Sequence, residues 1–213
     1  MQFYWAPTDR TYQTVAIRRH PDWAFCDASG ALTDAHVHTG APWVYLDLNE
    51  RAARNAYVRF LRALHAIGYD GVFVDMGGHA ILGPTSTAIS ACTANPVVRG
   101  RTFGAAYIAM LGQARDVGLQ VFLNGGILTA LDRVPAVWNI GLAGVLDERA
   151  AWRGPRALAA DRAVATARVV PVAVLVRPNR HAADQVAAVA AAGLAPVYGV
   201  RAADEAALTL VRT

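Results

Sequence analysis

The chain contains no lysine: all twenty of its basic residues are arginine. Chemistry that needs a side-chain amine is excluded with it, including Schiff-base catalysis, P-loop phosphate binding and lysine-bridged metal centres. Glutamate is almost as scarce, standing only at Glu50, Glu148 and Glu205. The two cysteines, Cys26 and Cys92, are far apart and form no CxxC pattern, so they read as free or buried thiols. No apolar run approaches the roughly 18 residues that a membrane helix needs, so no membrane partner is expected. The opening MQFYWAPTDR lacks the basic-then-apolar order of a secretory signal. A cytoplasmic protein is expected, or a secreted one if the start has been trimmed. The net charge of +4 is modest. Its densest group, Arg51, Arg54, Arg59 and Arg62, alternates with core-facing residues of one helix and makes no stripe for nucleic acid.

What is present is a chain of 213 residues, 54% hydrophobic and 17% charged, enough for one full core with buried parallel strands. After the first forty residues a strand-then-helix pattern repeats. An apolar run over 43–47 ends in Asp47, and Asn49 is placed to cap a helix over 50–67. In that helix Tyr57, Phe60, Leu61, Leu64 and Ile67 recur at helical spacing, and Gly68 stops it. A strand over 71–75 leads into a loop through Pro96, then a helix over 102–117. Strands over 119–124, 142–148, 172–176 and 195–200 follow, separated by a short helix ending near Trp138 and by helices over 156–168 and 181–192. A last helix is expected from Ala203.

With a strand over 3–6 this makes about seven strands in βα units, hence a mostly parallel sheet. A complete (β/α)8 barrel has eight and usually takes about 250 residues. The expectation is therefore a single α/β domain over 1–213, TIM-barrel-like but one βα unit short, the first. It would be an open barrel, a shortened one, or half of a homo-oligomer that completes the wall. A doubly wound open sheet is the runner-up, although no GxGxxG follows any strand. The turn-rich stretch over 11–42 reads as an excursion over the barrel mouth.

Two segments end alike, Gly71-Val72-Phe73-Val74-Asp75 and Gly144-Val145-Leu146-Asp147-Glu148. Each delivers a carboxylate four residues after a glycine, on the same relative face of its strand. In one parallel barrel Asp75 and Glu148 would meet at the carboxyl-end mouth, as a glycosidase presents its acids. Either acid could instead cap the next helix. Asp147 is the fallback acid, but its parity points it away from the lumen.

The ordered motifs His20-Pro21-Asp22-Trp23, Asp27-Ala28-Ser29-Gly30, Tyr45-Leu46-Asp47-Leu48 and Gly68-Tyr69-Asp70-Gly71-Val72-Phe73-Val74-Asp75 carry a resemblance. So do Val121-Phe122-Leu123-Asn124-Gly125-Gly126 and Ala143-Gly144-Val145-Leu146-Asp147-Glu148. Together they resemble glycoside hydrolase families with TIM-barrel catalytic domains, related to the α-galactosidase superfamily and the endo-α-1,4-polygalactosaminidases. The resemblance covers residues 18–150. It departs where the first strand should be, and where Ala143 replaces the acid expected before Gly144. What it implies is a carbohydrate substrate, Asp75 as nucleophile, Glu148 as acid/base, retention of configuration, and no cofactor or metal.

Other residues admit two readings each. Asp47 and Asn124 would bind sugar hydroxyls, or cap a helix and form a turn. Arg177 would orient an anionic group, or form a structural ion pair. Tyr4, Trp5 and Trp23 would stack against a sugar ring, or simply pack. His79 is the one histidine near a strand end and joins the substrate-binding set. Three further readings stay open: a non-catalytic carbohydrate-binding barrel, a structural barrel closed by assembly, and a metal-dependent amidohydrolase using Asp34-Ala35-His36-Val37-His38. Against the latter, the bridging lysine is missing and His65 and His181 fall on helices.

Overall fold

A computed structural model describes residues 2–3, 23, 47, 50–74, 77–82, 102–176 and 178–198. Among these residues are six strands, β1 (Gln2–Phe3), β2 (Gly71–Val74), β3 (Gln120–Gly126), β4 (Gly144–Asp147), β5 (Val172–Val176) and β6 (Ala195–Tyr198). They are all parallel and lie in the order β1-β2-β3-β4-β5-β6. The helices are α1 (Arg51–Ala66), α2 (Gly77–Leu82), α3 (Phe103–Asp116), α4 (Leu128–Leu131), α5 (Ala150–Arg153), α6 (Pro155–Arg168) and α7 (Ala182–Ala191). A 3-10 segment, Pro135–Ile140, precedes β4.

The sequential order decides between the two α/β architectures. A doubly wound sheet reverses direction at a switch point. Here each strand is laid beside its predecessor in one direction, so the described strands are not doubly wound. They make a singly wound wall, with helices α1, α3, α6 and α7 sharing one core with the strands.

Residue alternation marks the face toward that core. Val72, Val74, Val121, Leu123, Val145, Val172, Val174 and Val176 are buried and form one core with Leu61, Tyr107, Met110, Leu158 and Val189 of the helices. The opposite face carries Phe73, Leu146, Ala173 and Leu175, each partly exposed, and the exposed Phe122.

Three helices end alike. Gly68, Gly118 and Gly193 take positive φ after α1, α3 and α7 and turn the chain into the next strand. After α6 the same role falls to Val169, with φ 53°.

The sequence expectations need four corrections. Glu50, not Asn49, caps α1, its side chain accepting from Ala52 N–H. Ile67 is the C-cap of that helix and is exposed, outside the apolar stripe. The loop expected after β2 contains α2, too short a helix for periodicity to announce. Finally, β1 pairs directly with β2, at Gln2 with Phe73 and Phe3 with Val74. That pairing takes one edge of β2, and Asp47, expected to end a strand, is not in one. Trp43 and the three residues after it, the last helix and the 11–42 excursion apart from Trp23 lie outside the described residues.

Candidate active site

The carboxyl edge of β3 and β4 is irregular, and the irregularity builds the site. Asn124 pairs with Leu146, but Gly126 pairs with Asp147, so Gly125 is an extra residue on β3. Only glycine fits there. A Cβ on Gly125 would lie 2.8 Å from Val145 Cγ1 and 3.1 Å from Leu131 Cδ2. A Cβ on Gly78 of α2 would collide with the carbonyl oxygen of Gly125, so helix and bulge touch backbone to backbone.

The bulge sets Asn124. Its Oδ1 accepts from Gly126 N–H at 3.1 Å, and its Nδ2 donates to Glu148 Oε1 at 2.6 Å. Because Oδ1 is occupied by a backbone donor, the amide has one orientation, with its NH2 toward Glu148. Glu148 N–H in turn donates to Gly126 O at 3.0 Å, tying the end of β4 to the bulge. Asn124 is buried and Glu148 is half-buried. The two side chains belong to the sheet face opposite the helices, with Leu146.

Asp147 belongs to the other face. It is fully buried, and its Oδ2 accepts from Leu128 N–H at 2.7 Å. Its Oδ1 accepts from Arg149 N–H at 2.7 Å and Ala150 N–H at 2.6 Å. Arg153 Nη2 lies 3.2 Å from Oδ2. Asp147 thus closes the starts of α4 and α5, as its parity implies.

Beside it lies Asp161 of α6, a buried carboxyl that sequence reasoning missed. Neither of its oxygens accepts a hydrogen bond, and Arg153 Nη2 is 3.8 Å away. Burial, then the neighbouring Asp147, push its pKa up to about 7. A proton on Asp161 relieves its repulsion with Asp147. The signal was available: Asp161 falls on the buried stripe of α6, three residues after Leu158 and four before Ala165.

The remaining candidates are spread differently. Asp47 is fully buried, its N–H donating to Trp23 O at 2.6 Å and its carbonyl accepting from Glu50 N–H at 3.0 Å. Trp23 is buried as well. His79 stands in α2. Asp75, Tyr4, Trp5, Arg177 and the DxHxH at 34–38 lie outside the described residues. Asp75 follows Val74, which pairs with Leu123, the residue before Asn124. Among the described residues no group of three His, Cys, Asp or Glu could hold a metal ion, and no helix is long and apolar enough to cross a membrane.

No family model matches the chain, and no curated protein matches it. Solved structures do. The glycoside hydrolase domain of PelA from Pseudomonas aeruginosa is 17% identical, with a TM-score of 0.56 over 95% of this chain and 78% of that one. The α-galactosidase TtGalA from Thermus thermophilus, in complex with p-nitrophenyl α-D-galactopyranoside, is also 17% identical. There the TM-score is 0.59 over 98% of this chain, which spans 46% of the enzyme. Ega3 from Aspergillus fumigatus, in complex with galactosamine, is 17% identical with a TM-score of 0.55, over 92% of this chain and 72% of that one. At this identity the likeness is one of fold: the chain has the fold of glycoside hydrolase domains.

Proposed function

We propose that this protein hydrolyses a glycosidic bond, with Glu148 as acid/base and Asp75 as nucleophile, at the mouth of a barrel whose wall includes β1 to β6. The observation that carries the reading is the Asn124–Glu148 pair at 2.6 Å. It puts one of only three glutamates, half-buried and held by a neutral donor, at the carboxyl edge of adjacent parallel strands. Ligands bind at that edge in parallel α/β folds. Asp147, bonded to three backbone N–H groups, is committed to structure, which leaves Glu148 as the acid able to meet a leaving group.

The chemistry runs in two steps. The ionised Asp75 attacks the anomeric carbon while Glu148 gives its proton to the departing oxygen, and water released from its proton by Glu148 then cleaves the glycosyl ester. Net retention follows, and no step needs a cofactor. The likeness to an α-galactosidase and to a protein solved with galactosamine makes α-galactosides and α-galactosaminides the first substrates to try.

The test is hydrolysis of p-nitrophenyl α-D-galactoside and α-D-galactosaminide, and of the corresponding oligosaccharides, by the wild type, Asp75→Asn and Glu148→Gln. Turnover by the wild type that Asp75→Asn loses on every substrate, and Glu148→Gln on the oligosaccharides, while both stay folded supports the reading. Turnover undiminished in Asp75→Asn sinks it. NMR of the first-formed anomer decides retention against inversion.

A further inference from the structure

Asn124 has a claim to a more specific part than contact with a sugar hydroxyl. Its Oδ1 is spent on Gly126 N–H, so its amide cannot turn over, and the group it presents to Glu148 can only donate. Glu148 Oε1 must therefore accept in both protonation states. When the carboxyl carries a proton, that proton has one good place, Oε2. We infer that Asn124 is a positioning residue that fixes the acid proton of Glu148 on Oε2 and holds that oxygen toward the leaving group. This rests on the glycosidase reading.

Local structure supports the role. The Gly125 bulge lies between Asn124 and Gly126, and Glu148 N–H is anchored to Gly126 O just beyond it. Both ends of the Asn124–Glu148 bond thus hang on three consecutive residues of β3, Asn124 to Gly126. An acid with free rotation would spread its proton over two oxygens and several rotamers. The bulge and the amide reduce that to one.

Leaving-group dependence separates this role from others. p-Nitrophenolate leaves with little help, whereas unsubstituted phenolate and a sugar alkoxide need a proton. Asn124→Leu is expected to lower kcat/KM on phenyl α-D-galactoside and α-D-galactosaminide by roughly ten- to hundredfold, part of what general acid catalysis supplies. The p-nitrophenyl counterparts should lose less than about threefold. In a Glu148→Gln background the same substitution should cost nothing further, because Asn124 acts through Glu148. Asn124→Asp keeps the acceptor for Gly126 N–H but sets a carboxylate against Glu148. Like charge then holds the acid proton longer, and the alkaline limb of the pH–rate profile should move to higher pH.

Equal losses on both leaving groups, or a further loss in the Glu148→Gln background, would overturn the inference and return Asn124 to substrate contact or plain structure. That outcome leaves the glycosidase reading standing. If the wild type turns over none of these glycosides, the reading fails and takes the inference with it.

Discussion

Asp147 and Glu148 are consecutive, and their carboxylates serve opposite faces of the sheet. Asp147 accepts from the backbone N–H groups of Leu128, Arg149 and Ala150 on the helix side. Glu148 accepts from the Asn124 amide on the other side. Strand alternation alone divides the two acids, and it divides their consequences.

Removing the first should cost stability. Asp147→Ala strips partners from three backbone donors and leaves Arg153 only Asp161, at 3.8 Å. Leaving a buried backbone donor without its acceptor costs roughly 1–3 kcal/mol. Chemical denaturation should show a loss of that order, large against the total stability of a single domain.

Removing the second should cost activity. Glu148→Gln keeps the shape and keeps an oxygen for Asn124, so the melting temperature should stay within a few degrees of wild type. Hydrolysis of substrates with poor leaving groups should fall by roughly 10²–10⁴. A large drop in melting temperature would mean that Glu148, like Asp147, is structural.

Much of this was legible in the sequence because the relevant signals are local. Strand β5 lies where its run of valines puts it, and the ends of α1, α3 and α7 follow Gly68, Gly118 and Gly193. The separation of Asp147 from Glu148 is a matter of parity, which the chain carries in itself. The bulge at Gly125 was not legible: a Gly-Gly pair suggests a turn, and only the register of β4 turns it into an extra residue. The Asp161 carboxyl was not legible from the span of its helix alone: it shows only when the buried stripe through Leu158 and Ala165 is traced across it. The neighbours of β2 were not legible either, because pairing partners are chosen across the chain, and an apolar run does not name its neighbour.

Gly78 is where helix α2 meets the bulge. Gly78→Ala would push a Cβ into the Gly125 carbonyl, and either helix or bulge must move. Overpacking of this kind costs roughly 1–3 kcal/mol. Because Asn124 and Glu148 both hang on the bulge, activity should fall by more than the stability loss explains at a temperature where the variant is fully folded. Gly112, whose Cβ would meet nothing, is the control: Gly112→Ala in the middle of α3 should leave activity intact and stabilise the fold by about 0.5–1 kcal/mol.

Val169 stands where three other helices use glycine. It is β-branched, sits at φ 53° and is 89% exposed, so its side chain returns little for the strained backbone. Val169→Gly should raise stability by about 0.5–1 kcal/mol, the relief of the left-handed strain exceeding the entropy glycine adds to the unfolded chain. A melting temperature that falls instead would show that Val169 holds the α6–β5 junction through packing.

Asp161 makes the stability depend on pH in an unusual direction. Its pKa is raised to about 7 in the folded protein, above the range of an unfolded carboxyl, so the fold binds this proton more tightly than the unfolded chain does. Its contribution is greatest below about pH 4 and is lost as pH rises toward and through 7, where the ionised carboxylate faces Asp147 with only Arg153 nearby. Asp161→Asn imitates the protonated form, its amide donating to Asp147 at every pH. The variant should therefore lose less stability than wild type between pH 5 and pH 8, and should be the more stable of the two at pH 8, by on the order of 1–2 kcal/mol. Urea denaturation of both proteins at these two pH values checks it. Parallel losses would mean that Arg153 neutralises the pair whatever its protonation, and that the proton between Asp147 and Asp161 contributes nothing to the fold.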